Sequence, residues 1–165
     1  MADETSSTPP VVKERSSIHI SRIIVKIVEI ILAVFIIGLM VDPLNSYQRI
    51  YNRLRTRLAD VAIIYISVAG YLLINLLFVI GYTLGDKIPK RTSIMFSAVG
   101  SILHVVAASV MIHNWRTVMG SYVDFHNNAT NSSKQYNDML ISSSVFTFIN
   151  AVVFGIDVFV TMKYT

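Results

Sequence analysis

The 165-residue chain has no cysteine, which excludes disulfide frameworks, thiolate metal sites and cysteine nucleophiles. Charge is also scarce. Only 15% of residues are Asp, Glu, Lys or Arg, against roughly 25% in an ordinary globular chain. By contrast, 53% are apolar and the mean hydropathy is +0.58. A single core in a chain this short cannot bury that much apolar surface, so the composition is that of a membrane protein. Catalytic signatures are missing as well: there is no Gly-rich phosphate loop, no H-E-x-x-H, no G-x-S-x-G and no paired carboxylates in a water-accessible segment. No enzyme activity, metal or cofactor is expected. The net charge of +4 could suit nucleic acid, but most basic residues flank apolar runs, where lipid headgroups are the natural counterpart.

What the chain does have is four apolar runs close to the length of about 20 residues that crosses a bilayer core: Ile23–Val41, Val61–Tyr82, Ile94–Ile112 and Leu140–Thr161. Lipid offers no partner to open backbone groups, so each must be helical. The fold expected over residues 21–162 is all-α, a polytopic bundle of four transmembrane helices with short loops. The first run lies behind a polar stretch and no A-x-A-like site follows it, so it reads as a retained span rather than a signal peptide. Residues 1–20, with Thr8-Pro9-Pro10 and many hydroxyl side chains, lack the apolar content that offsets ordering entropy and read as a disordered cytoplasmic tail.

Basic residues are divided nearly evenly between the two sides, so they orient the chain only weakly. The third loop carries two glycosylation sequons, Asn128-Ala129-Thr130 and Asn131-Ser132-Ser133. Placing that loop outside leaves both termini in the cytoplasm, together with the short second loop bearing Lys87, Lys90 and Arg91. The first outer loop supports two readings. Asp42-Pro43 resembles an N-cap followed by proline at the first helical position. From there Leu44, Tyr47, Tyr51, Leu54 and Leu58 recur at helical spacing, which predicts a helix lying on the outer leaflet. Arg49, Arg53, Arg55 and Arg57 also alternate with apolar residues at the period of a strand. The helix is the favoured reading. The arginines are either a solvated face or a contact for lipid phosphate or an acidic partner.

Polar residues inside spans are costly and therefore informative. Arg22, Lys26 and Glu29 share a face of the first helix, and Asp157 reaches the same depth on the fourth. A Lys26–Asp157 pair could tie those helices together or form part of an ion path; the tie is the preferred reading. His104 and Asn150 fall near the middle of the third and fourth helices and could hydrogen-bond, with Asn75 as a further partner. A lone histidine cannot make a metal site. Ser143, Thr147, Ala151 and Gly155 form a stripe of small residues on the fourth helix, and Ser93, Ser97 and Ser101 a second on the third, surfaces along which helix backbones can approach closely.

Together with the four-pass layout, the runs Ser97-Ala98-Val99-Gly100-Ser101-Ile102-Leu103-His104 and Ile149-Asn150-Ala151-Val152-Val153-Phe154-Gly155-Ile156-Asp157 resemble the insect MARVEL-like membrane proteins, the group of Snakeskin and the Pasiflora proteins. Claudins and tetraspanins share the layout, but their loop disulfides are impossible here. The resemblance implies a structural protein of the plasma membrane, assembling laterally with other junction proteins or with further copies of itself, in formation or trafficking of a septate-type occluding junction. It implies no catalysis and no nucleic acid. The alternative is an accessory channel subunit or small transporter that uses the buried polar residues.

Overall fold

The structure is a computed structural model and describes residues 10–50, 58–86, 88–123 and 131–163. All regular structure among the described residues is helical: α1 (Pro10–Ile50), α2 (Leu58–Tyr65), a π-helical segment (Ile66–Gly70), α3 (Tyr71–Leu84), α4 (Lys90–Val123) and α5 (Asn131–Lys163). Four stretches are long and apolar enough to cross a membrane, namely Ser21–Leu44, Leu58–Leu84, Lys90–Arg116 and Asn137–Lys163. The expected four-span helical architecture is thus what the structure shows. At about 1.5 Å per residue such spans outreach a hydrocarbon core of about 30 Å and carry their ends into the headgroup layers.

The helices run further than the apolar runs alone suggest. Residues 10–20, expected within a disordered tail, are helical, because an established span extends by one hydrogen bond per added residue and Pro10 fits a first helical position. Residues 1–9 lie outside the described residues. At the other end of α1, Asp42-Pro43 does not start a separate helix. Pro43 stays inside α1, which continues to Ile50, so the strand alternative is not adopted over residues 44–50. Proline removes one backbone hydrogen bond and crowds the preceding turn, a local defect that packing of the adjacent Leu44 offsets; both residues are buried. The remainder of that loop, residues 51–57, lies outside the described residues.

The second span is interrupted rather than broken. Ser67 Oγ donates to Ile63 O at 2.7 Å, and after the widened turn the Tyr71 N–H closes on Val68 O. The α3–α4 connection is tight. Gly85 sits at φ 85°, its N–H bonds Tyr82 O at 3.2 Å, and the Asp86 N–H bonds Gly81 O at 3.0 Å. This is a Schellman ending, in which glycine takes the left-handed position because it has no Cβ.

In the bundle, α5 packs mainly against α4 and α1, and α3 against α1. The core has two halves. One is apolar, built from Ala33, Ile36, Met40 and Leu44 of α1, Ile64 and Val68 of the second span, Met111 of α4 and Leu140 of α5. The other, nearer the α3–α4 turn, is polar and holds the candidate site.

Candidate functional site

Two helices bring ionisable side chains together in the polar half, and a third adds a hydroxyl. On α1, Lys26 and Glu29 are one turn apart, and their side chains meet at 2.8 Å between Lys26 Nζ and Glu29 Oε2. Asp157 of α5 lies across the interface, with Oδ2 2.9 Å from Lys26 Nζ. Ser97 of α4 completes the group: Lys26 Nζ donates to its Oγ at 3.1 Å, and that hydroxyl donates onward to Asp157 Oδ2. The ammonium therefore meets three oxygens, two by hydrogen bonds and that of Asp157 as an ion pair. Beyond these contacts it faces two rings, with the Phe154 centroid at 5.2 Å and the Phe78 centroid at 5.6 Å. Lys26, Glu29 and Asp157 are only 2%, 0% and 1% exposed, so the group is closed rather than the lining of an open path.

Asn75 of α3 was expected near His104 and Asn150. Instead it lies beside Glu29, too loosely placed to make a hydrogen bond of ordinary geometry. His104 and Asn150 do meet. Asn150 Nδ2 and His104 Nε2 are 3.2 Å apart, and His104 Nδ1 is 2.8 Å from Gly100 O. Both contacts are served by a neutral ring that donates from Nδ1 and accepts at Nε2, a tautomer assigned from the partners. Tyr71 and Phe154 enclose the imidazole, with centroids at 5.8 and 4.8 Å.

The small-residue stripe packs over most of its length. Ser143 and Thr147 Oγ atoms contact Met111 Sδ at 3.5 and 3.9 Å, and the Ala151 carbonyl accepts from Ser101 Oγ at 2.9 Å. Gly155, expected in the same packing stripe, is the loosest part of it, with Ser101 Oγ 4.0 Å from where its Cβ would stand. It is exposed and lies in an open apolar groove of about 490 Å³ between α4 and α5, with Ser101 at one wall.

Other expected sites fall at or beyond the edge of the described residues. Arg49 is on the last turn of α1, while Arg53, Arg55 and Arg57 lie outside the described residues. Asn128 also lies outside them, and Asn131 is the first residue of α5. Among the described residues no group of three or more His, Asp or Glu side chains is placed to hold a metal.

Sequence reasoning missed Ser97 as the hydroxyl bridging Lys26 and Asp157, having read it as a packing residue. A signal was available: Ser97 and Asp157 are each the polar residue nearest the same membrane depth on helices that run in opposite directions. Phe78, Phe154 and Tyr71 were also missed, since aromatic side chains in an apolar run carry no mark of a polar neighbour.

Four apolar spans, a turn of a few residues between α3 and α4 and an inward-facing polar cluster define a polytopic helical membrane protein. Residues 20–160 match the MARVEL family, a membrane-associating domain, and the chain belongs to that family. No curated protein and no solved structure matches it.

Proposed function

We propose that the chain is a structural protein of the plasma membrane, with both termini cytoplasmic. It assembles side by side with other membrane proteins or further copies of itself, in the formation or trafficking of a septate-type occluding junction. The observation that carries this reading is the closure of the charged cluster: Lys26 meets Glu29, Ser97 and Asp157 inside the bundle. Two buried hydroxyls of α5 are likewise satisfied inside the bundle. Ser143 and Thr147 bond back to Leu140 O and Ser143 O on their own helix. The outer faces offer neighbours apolar contact through residues such as Ile31, Leu77, Ile102 and Val152. Membership in a membrane-associating family supports a role played in the bilayer plane.

A tagged copy expressed in a polarised epithelium tests the proposal. Enrichment at lateral borders, with increased dye passage on depletion, is the expected result. Endosomal signal with mislocalised border proteins would favour the trafficking arm of the same role. A uniform membrane signal with unchanged permeability would overturn it, and ion currents altered by substitutions at His104 or Asp157 would favour the channel-subunit alternative.

A further inference from the structure

Below the Lys26–Ser97–Asp157 contact lies a second polar layer that this contact does not use. Arg22 is one helical turn before Lys26, Ser93 one turn before Ser97, and Thr161 one turn after Asp157, so helical geometry puts the three at one depth. All are buried, with Arg22 only 8% exposed. Arg22 Nε and Nη2 are shut off from solvent and have no hydrogen-bond partner among the described residues; the same is true of Thr161 Oγ1. Among the described residues no carboxylate comes within ion-pair distance of Arg22.

The identity of the orphaned atoms matters. Nε and Nη2 form one edge of the guanidinium, two parallel donors spaced to take two oxygens of a single phosphate or carboxylate. Buried donors in native proteins have acceptors, and an unpaired cation is especially costly at membrane depth. The surroundings select the acceptor. Arg22 lies one turn from Lys26 toward the α3–α4-turn end of the bundle, and a long arginine stem that swings outward from its buried position carries the head toward the level of lipid phosphates. Lys90, Arg91 and Lys163 lie at the same end, where Lys90 Nζ donates to Met162 O at 3.2 Å and so joins the start of α4 to the end of α5. That concentration of positive charge suits an anionic headgroup.

We propose that Arg22 grips the phosphate of an anionic glycerophospholipid at the α3–α4-turn end of the bundle, with the Thr161 hydroxyl donating to the same phosphate and the neighbouring basic residues favouring the headgroup's negative charge. The site does not depend on a junction role.

The test is thermal unfolding of the full-length protein, purified in a neutral detergent, with dioctanoyl phosphatidylserine, dioctanoyl phosphatidylcholine or inorganic phosphate added. The expected result is a saturable rise in unfolding temperature with phosphatidylserine alone. Arg22→Gln should abolish the rise, and Arg22→Lys should remove most of it by keeping the charge without the paired edge. An equal rise with phosphatidylcholine, or with inorganic phosphate, would overturn the proposal. So would an Arg22→Gln protein that is less stable at baseline but keeps the full lipid-dependent rise, because Arg22 would then be only a counter-charge to Glu29 and Asp157. If Arg22→Gln does not fold, Thr161→Val serves instead. It preserves shape while removing the hydroxyl and should weaken the apparent phosphatidylserine affinity several-fold; an unchanged affinity sinks the proposal.

Discussion

At the scale of single residues, Lys26 is the position on which the polar half depends. Its ammonium is the one counter-charge placed between two almost fully buried carboxyl groups, Glu29 and Asp157, among the described residues. Removing one partner of a buried ion pair costs about 3–5 kcal/mol, whereas replacing the whole group with well-packed apolar residues can be neutral. Lys26→Met should therefore sharply reduce the monodisperse fraction recovered after size-exclusion chromatography. The pair alone would predict recovery in Lys26→Met/Asp157→Leu, but Glu29 also leans on Lys26, so recovery should be partial until Glu29→Gln is added. Equal losses in the single, double and triple variants would show that the cluster does not tie α1 to α5. The depth match of Lys26 and Asp157 was legible from two helices running in opposite directions, each with an acidic or basic residue near the same end. Asn75 was misassigned because depth places a residue in a layer but does not say which neighbour its helix faces.

At the scale of elements, packing depends on close approach, and Gly100 is a place where it is tight. A Cβ at Gly100 would stand 2.6 Å from Tyr71 Cε1, 2.9 Å from Tyr71 Cδ1 and 3.0 Å from Phe154 Cδ1. The rings of α3 and α5 therefore rest directly on the α4 backbone, in the turn whose carbonyl accepts from His104. Neither ring can yield easily, since they also pack edge to face on each other with centroids 5.5 Å apart. Gly100→Ala should destabilise by about 1–3 kcal/mol, the usual cost of overpacking, read as a lower unfolding temperature in detergent. Tyr71→Leu in the same chain should recover part of the loss by removing the crowded ring atoms. Additive losses would mean that the two sites do not meet. The contrast with Gly155, which stands in the open groove, shows what the four-residue stripe could and could not say. Spacing identified a face of α5 lined with small residues but not where the partner helix leaves it. The ends of α1, α4 and α5 were hidden for a related reason: beyond the lipid the chain can remain helical without an apolar signature, and Pro43 reads as a boundary although membrane spans accommodate proline.

At the scale of the whole molecule, the remaining question is which way the bundle faces, and the helix boundaries sharpen the experiment that decides it. The α4–α5 connection carries both sequons, but α5 begins at Asn131, so the second sequon lies on the first turn of a helix while Asn128 precedes it. Acceptor sequons belong to surface loops, and a helical first turn is a poorer acceptor. If this connection is outside, glycosidase should increase the gel mobility of the mature protein. Asn128→Gln should abolish that shift, and Asn131→Gln should leave it largely intact. The opposite face would then hold the α3–α4 turn with Lys90, Arg91 and the buried Arg22, in agreement with the tendency of basic residues to stay in the cytoplasm and with the enrichment of anionic lipid in that leaflet. Absence of any mobility shift, with an epitope inserted after Asn128 stained only in permeabilised cells, would turn the bundle over. The Lys26–Ser97–Asp157 cluster would then lie near the outer surface, and Arg22 would face a leaflet poor in the charge it is built to meet.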